Sequence, residues 1–201
     1  ILFNRLDNVF GVRGTVLQFI SSYLTNRTMT VCVSGFESDP VPLTFGVPQG
    51  SVLGPILFVL YTLPLPSLIS RHPVLHHLFA DDTQLYGHES RENVVPLIQS
   101  LQNGVNDVKD WTTVNKLQLN EDKTEAVMVV GPGTQRNLPK SIRIGQTVVP
   151  FKKSTRNLGV IFDDELSMEA HIQSVCRIAF SEVRRIASVR HLLTQQATQT
   201  L

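Results

Sequence analysis

Two neighbouring carboxylates, Asp81 and Asp82 in the segment FADD, are the side chains of this 201-residue sequence best suited by type to hold a hard cation. Successive residues of a strand point to opposite faces, so adjacent acids converge on one spot only where the backbone reverses. Apolar stretches at residues 74–80 and 83–86 flank them, which predicts a tight hairpin with the acids at its tip. Mg²⁺ prefers carboxylate oxygens and keeps part of its water shell, and a turn carrying acids suits it. Asp is also a favoured turn residue, so Asp-Asp in a hairpin is by itself ordinary turn chemistry.

A second feature is the segment GVPQGSVLGPILF at residues 46–58. Gly46, Gly50 and Gly54 admit positive φ and close backbone approach, and Pro48 stiffens the loop just before a helix start. The Gln49 amide both donates and accepts, so such a loop can lie flat against a base pair. Taken alone, it reads first as a Gly/Pro turn leading into a buried helix. Other candidates carry less. His72, His76 and His77 cluster without a neighbouring Cys and read as strand and loop residues rather than zinc ligands. Trp111 falls on an apolar helix stripe and reads as core. Arg177, Arg184, Arg185 and Arg190 decorate the final helices, where they could touch a nucleic-acid backbone but usually form a solvated face.

The elements that must position these residues follow from periodicity. Residues 2–10 and 16–24 place apolar side chains at helical spacing around a break at residues 11–14. Residues 28–34 alternate around β-branched side chains, Gly35 supplies a turn and residues 41–45 return, predicting a hairpin. Residues 51–63 are apolar on all sides, predicting a short buried helix ended by Pro64. Val94, Ile98, Leu101, Val105, Val108 and Trp111 mark a helix packed on a sheet, with Pro96 admissible in its first turn. Residues 124–130 predict a strand, 131–133 a turn, 141–150 a hairpin around Gly145 and Gln146, and 157–162 a closing strand. Beyond a cap at Ser167, one or two long helices run to the end. This mixed order predicts an α+β fold with helices on one side of a sheet.

Composition bounds the function. Apolar residues at 42% and charged residues at 17% are ordinary globular values, so the chain is expected to fold. A formal charge of +1 offers no compositional argument for a nucleic-acid partner, so any such contact must be local. Cys32 and Cys176 lack paired spacing, which excludes a disulfide scaffold, leaves a zinc site unsupported and fits a reducing compartment, nucleus or cytoplasm. The longest apolar run, residues 52–63, is about half a membrane span and contains Gly54 and Pro55, so no membrane partner is expected. The first residues already read as the middle of a structured element, and we expect the N-terminal side of the protein to be missing.

Combination changes the weight of each motif. GVPQGSVLGP, then FADD, then NKLQLNEDKTE at residues 115–125, then LGVIFD at residues 158–163 resemble, in order and spacing, the palm motifs of non-LTR (LINE-type) retrotransposon reverse transcriptases. SYLTNRTMTVCVSG at residues 22–35 is similar to that family's segment ahead of the first of these, so the resemblance covers nearly the whole chain. It implies an RNA-directed DNA polymerase, a nucleotidyltransferase using two Mg²⁺ ions, with an RNA template, a DNA primer and deoxynucleoside triphosphates as partners. Asp81 would be a principal ligand of the catalytic ions and Asp82 the acid supporting metal and primer-end placement. Gly46, Val47, Pro48, Gln49, Gly50 and Ser51 would line the incoming nucleotide and the templating pair. Lys123 would protonate the pyrophosphate leaving group, and Leu158, Gly159 and Val160 would position the primer.

The fold implied is α+β: a palm-like antiparallel sheet with packed helices, followed by C-terminal helices at the start of a thumb or connection region. Residues 1–163 would be partial fingers and palm, and residues 164–201 a helical extension on the thumb side. In the family a further catalytic Asp lies on a strand before the first helix seen here, and neither Asp7 nor Asp39 replaces it. The expectation is therefore a truncated palm, inactive by itself. Two other classes compete: a decayed or co-opted module that binds nucleic acid or protein without chemistry, and a metal-dependent phosphohydrolase using Asp81 and Asp82, for which no additional ligands are visible.

Overall fold

The chain divides into two units, Ile1–Leu119 and Asn120–Leu201. The computed structural model describes residues 1–47, 50–131 and 138–200.

The first unit opens with α1 (Leu2–Asn8) and α2 (Gly14–Leu24), matching the two predicted helical stretches. Their apolar stripes meet α3 (Leu53–Thr62), and Leu6, Ile20 and Leu57 form a buried core, with Leu2, Phe10, Leu17 and Leu60 packed around it. Between α2 and α3 run β1 (Arg27–Met29), β2 (Cys32–Val33), β3 (Phe36–Glu37) and β4 (Val41–Leu43), with β1 paired to β4 and β2 to β3, all antiparallel. Ser34 and Gly35 both have positive φ, +50° and +85°, as a two-residue turn matched to the twist of its strands requires.

Helix α3 ends directly before Pro64 as expected, and Pro64 then opens α4 (Pro64–Ile69), because at the first helical position its missing N–H removes no hydrogen bond. One expectation changes: helix α3 is not buried all round. Gly54, Leu57 and Thr62 are buried, whereas Val52, Ile56, Val59 and Leu63 stand exposed along one stripe. An all-apolar run tells that a helix tolerates burial on every side, and here packing against α1 covers one side only.

A second core lies under the predicted acidic hairpin, whose strands are β5 (Leu75–Phe79) and β6 (Asp82–Tyr86). Leu65 and Ile69 of α4 meet Val108 of α5 (Val94–Val114), and Val74, Leu78, Leu85 and Trp111 close around them. The predicted apolar stripe of α5 supplies this surface, Trp111 included. Arg5 links the two ends of the unit: its guanidinium donates to the Tyr61 carbonyl and to Asn115 Oδ1, and stacks 4.8 Å from the Tyr61 ring and 5.2 Å from the Trp111 ring.

The second unit contains β7 (Ala126–Val127), β8 (Ser141–Ile144), β9 (Thr147–Lys152), β10 (Ser154–Asn157) and β11 (Val160–Asp163), then α6 (Glu169–Val189) and α7 (Gln195–Thr200). Strand β9 is central, antiparallel to β8 and parallel to β7, with Ile142, Ile144 and Val149 buried. The hairpin around Gly145 and Gln146 forms as predicted. The strand expected at residues 124–130 is only two residues long. The closing strand expected at residues 157–162 is interrupted: Asn157 pairs with Val160, so Leu158 and Gly159 are a turn joining β10 to β11. An apolar Leu reads as strand by hydropathy, whereas Leu-Gly also reads as a turn into a strand, and the backbone angles show the turn. Of the turn expected at residues 131–133, Pro132 and Gly133 lie outside the described residues. Helices and mostly antiparallel strands are thus both present, with the described strands arranged as four two-stranded sheets and one three-stranded sheet. Most strands pair with a neighbour in sequence, because a short turn closes that pair at the smallest entropic cost.

Candidate active site

The pairing of β5 with β6 runs from Leu75 opposite Tyr86 to Phe79 opposite Asp82. The connecting turn is therefore Ala80 and Asp81, one residue earlier than predicted: Asp81 sits in the turn and Asp82 is the first residue of β6. Ala80 has φ +52°, a left-handed conformation that costs a non-glycine residue about 1–2 kcal/mol. Alternation then sorts the hairpin into two faces. Leu78 and Leu85 face the core, while Leu75, Phe79, Asp82 and Tyr86 lie on an exposed face. Both carboxylates are exposed, at the end of a hairpin whose other face is anchored.

The loop at residues 46–51 belongs to the same unit. Gly46 (φ +82°) and Gly50 (φ +76°) both need glycine's conformational freedom, and a β-carbon at either would meet nothing within 4 Å. Open space lies over these backbone atoms. Arg27 tethers the loop, donating from Nη2 to the Gly46 carbonyl and from Nε to the Leu24 carbonyl at 3.3 Å. Ser51 Oγ accepts from Gly54 N at 3.2 Å, capping the entry to α3. Pro48 and Gln49 lie outside the described residues. Arg27 was not legible as a tether, since a basic residue ahead of a strand is commonplace.

The remaining expected site residues fall in the second unit. Lys123 closes a short 3₁₀ turn, Glu121–Lys123, capped by Asn120 Oδ1 accepting from Lys123 N at 3.2 Å, and its side chain is exposed. Two residues on, Glu125 accepts from Lys152 Nζ at 2.5 Å and from Thr155 Oγ1. The Lys152 bond foremost, then that of Thr155, holds its carboxyl below the usual range. Leu158 (φ +46°) and Gly159 (φ +86°) form a turn with both central residues left-handed, leaving the Leu158 side chain 48% exposed, and Val160 begins β11. Sequence reasoning missed Asp163 as an organiser. Its Oδ1 accepts from Ser167 N at 2.8 Å and Glu165 N at 3.1 Å, its Oδ2 from Met168 N at 2.8 Å and Ser167 Oγ at 3.2 Å. These bonds, that of the Ser167 amide first, lower its pKa. They also hold Leu166 (φ +55°) and Met168 (φ +61°) in left-handed conformations ahead of α6. The available signal was an Asp four residues before Ser167, the expected cap; the N-cap of α6 is instead Met168, because the left-handed backbone there puts Ser167 outside the helix.

The structure thus brings Asp81 and Asp82 together at one turn and puts the loop in their unit, with Lys123 and the Leu158 turn in the other. A shallow concavity of about 340 Å³ beside Asp163, Ser167 and Gln173, and an apolar one of about 290 Å³ over Pro55, Ile56, Val59 and Leu60, include neither acid. Among the described residues, no three His, Cys, Asp or Glu side chains group so as to hold a metal ion, and no helix is long and apolar enough to cross a membrane. His72 instead contacts Asp107, Nε2 to Oδ2 at 2.8 Å, and Arg185 pairs with Glu182 at 2.9 Å.

The first unit thus carries both an acid-tipped hairpin and a glycine loop, in a chain of mixed helix and strand. The chain belongs to the reverse transcriptase (RNA-dependent DNA polymerase) family, whose profile matches residues 5–162. Its relatives are of the non-LTR retrotransposon type. It is 24% identical over 173 residues to the RNA-directed DNA polymerase from mobile element jockey of Drosophila melanogaster, covering 84% of this chain and 18% of that protein. From the same organism, the probable RNA-directed DNA polymerase from transposon BS is 27% identical over 191 residues, 90% of this chain and 20% of that one. The corresponding protein from transposon X-element is 27% identical over 158 residues, 78% of this chain and 17% of its own length. The chain spans about a fifth of the length of these relatives. No solved structure matches it.

Proposed function

We propose that this chain is the palm portion of an RNA-directed DNA polymerase from a LINE-like element, with Asp81 and Asp82 as the acids at the reacting phosphates. The observation that carries this reading is the hairpin: two adjacent, exposed carboxylates at a strand reversal, anchored from behind, in a chain of the reverse transcriptase family. The donor chemistry fits Mg²⁺, since both groups offer hard oxygens still open to water. The donor set is incomplete for a two-ion centre, because no third ligand groups with them among the described residues. Asp81 and Asp82 would hold the ions from one side, with a further carboxylate supplied from outside the described residues.

Bound there, the ions would supply Lewis acidity for the primer 3′ oxygen and for the leaving phosphate. The protein's own part is positioning. Gly46 and Gly50, with open space above them, let the loop of Val47, Pro48, Gln49 and Ser51 lie against the incoming nucleotide and its templating partner. The exposed ammonium of Lys123 gives a proton to the departing pyrophosphate. Leu158, held outward by its turn with Gly159 and Val160, bears on the primer. RNA template, DNA primer and deoxynucleoside triphosphates are the partners this division of labour requires.

The test is Asp81→Asn in the full-length reading frame that contains this chain, assayed by primer extension on RNA with Mg²⁺. Extension is expected to fall by at least about 100-fold, as for loss of a principal electrostatic partner of the transition state, with primer–template binding unchanged. Undiminished extension removes Asp81 from the site. The incomplete donor set also motivates a second reading, a co-opted module without chemistry. A full-length protein with Asp81 intact that binds primer–template yet never extends it fits that reading instead.

A further inference from the structure

One face of helix α5 touches the acidic hairpin at Leu85 and the chain on either side of it at His72 and Gly87. A β-carbon at Gly87, just past β6, would stand 2.5 Å from Leu97 Cδ1. A β-carbon at Gly104 would stand 2.9 Å from Leu85 Cδ2 of β6 and 3.6 Å from His72 Cδ2. Asp107, one turn further, takes the contact from His72 Nε2 at 2.8 Å. His72 itself lies in the connection between α4 and β5, bonded to Ile69 O through its amide at 3.0 Å and accepting from Val74 N at 2.8 Å. Residues 97, 104 and 107 fall on one side of a helix by their spacing. Gly104 is buried in the interior of a 21-residue helix, where glycine is the least favoured residue after proline. Its φ is ordinary, so backbone strain does not explain it. Contact does: the missing side chain is the space that Leu85 fills.

We propose that Gly104, with Leu85, His72 and Asp107, is a seat that fixes the position of the acidic hairpin, making these positioning residues for Asp81 and Asp82. The proposal rests on the polymerase reading given above and deepens it. Leu85 is three residues from Asp82 on the same strand, so a displacement at the seat moves the strand that carries the acids. Leu85 Cδ2 ends a side chain packed against the Leu65, Ile69 and Val108 core, so making room for a β-carbon shifts that packing. A misplacement of reacting groups by about 1 Å costs on the order of 100-fold in rate, so a shift of a few tenths of an ångström at the seat is large enough to measure.

The experiment uses the full-length protein, a DNA primer annealed to an RNA template, deoxynucleoside triphosphates and Mg²⁺. Gly104→Ala is expected to lower kcat by about ten-fold, from the same sensitivity to placement, while KM for the nucleotide and Kd for primer–template stay the same. Adding Leu85→Val, which lacks the Cδ2 methyl, is expected to restore most of that kcat although it removes a core methylene and lowers thermal stability. A merely structural role predicts the opposite, two losses that accumulate in both activity and melting temperature. Asp107→Ala, at a half-buried position outside the apolar core, should lower kcat by a few-fold with binding unchanged. Unchanged kcat in Gly104→Ala and Asp107→Ala, or failure of Leu85→Val to rescue, overturns the seat. Asp81→Asn run alongside separates the two ideas: if it leaves extension intact the polymerase site is wrong, and if it abolishes extension while the seat variants act like wild type, the seat alone is wrong.

Discussion

Asp163 shows how much one half-buried carboxylate can organise when every acceptor site is used. Its two oxygens take three backbone amides and a hydroxyl, and they hold a loop containing two non-glycine residues at positive φ. Because the folded state favours its ionised form, the stabilisation it gives is fully present above the ordinary aspartate pKa and fades as pH falls through the lowered folded value. Asp163→Ala is therefore expected to lower the urea midpoint of the chain at neutral pH. The difference from wild type should shrink as the buffer is taken below pH 4, and a gap independent of pH would show that its charge is irrelevant. Asp81 and Asp82 present the contrary case, acids left open to water at a turn. That contrast is what separates an acid serving the fold from one available to a ligand, and adjacency in sequence alone did not draw it.

At the scale of elements, two hairpins carry strained turns at the residues assigned to chemistry. Ala80 beside Asp81, and Leu158 in the turn before β11, both occupy left-handed backbone space that glycine or asparagine would fill at less cost. Leu158→Asn makes the residue pair most favoured in such a turn and is expected to raise stability by about 1 kcal/mol, the size of the penalty for a left-handed L-residue. If Leu158 bears on the primer, the same variant should extend primers more poorly while melting at a higher temperature. A gain in stability with no loss of extension would leave the turn a purely structural feature. Beneath the other hairpin, Ile69 is fully buried against Leu65 and Val108. Ile69→Ala should cost about 2–5 kcal/mol in urea unfolding, the range for deleting a well-packed aliphatic side chain.

For the molecule as a whole, the donor set predicts its own insufficiency. The isolated chain is expected to show no RNA-templated extension with Mg²⁺, because the described residues offer two adjacent carboxylates and no third ligand near them. Robust synthesis from the chain alone would mean that the site is complete within it. Much of this protein was determined by its sequence read in one dimension. The helices at residues 2–8, 14–24 and 94–114, the hairpins around Gly35 and Gly145 and the acidic reversal were legible because periodicity and turn residues act locally. So was family membership, since four motifs in fixed order are a property of the chain and not of its packing. What only the tertiary structure decided are the features set by distant neighbours. They include which side of α3 is covered and which residues of the acidic hairpin face the core. Above all, the purpose of Gly104 is invisible until Leu85, nineteen residues away in the chain, is seen resting against it. Hydropathy reports what a residue prefers to be near, and folding alone chooses the partner.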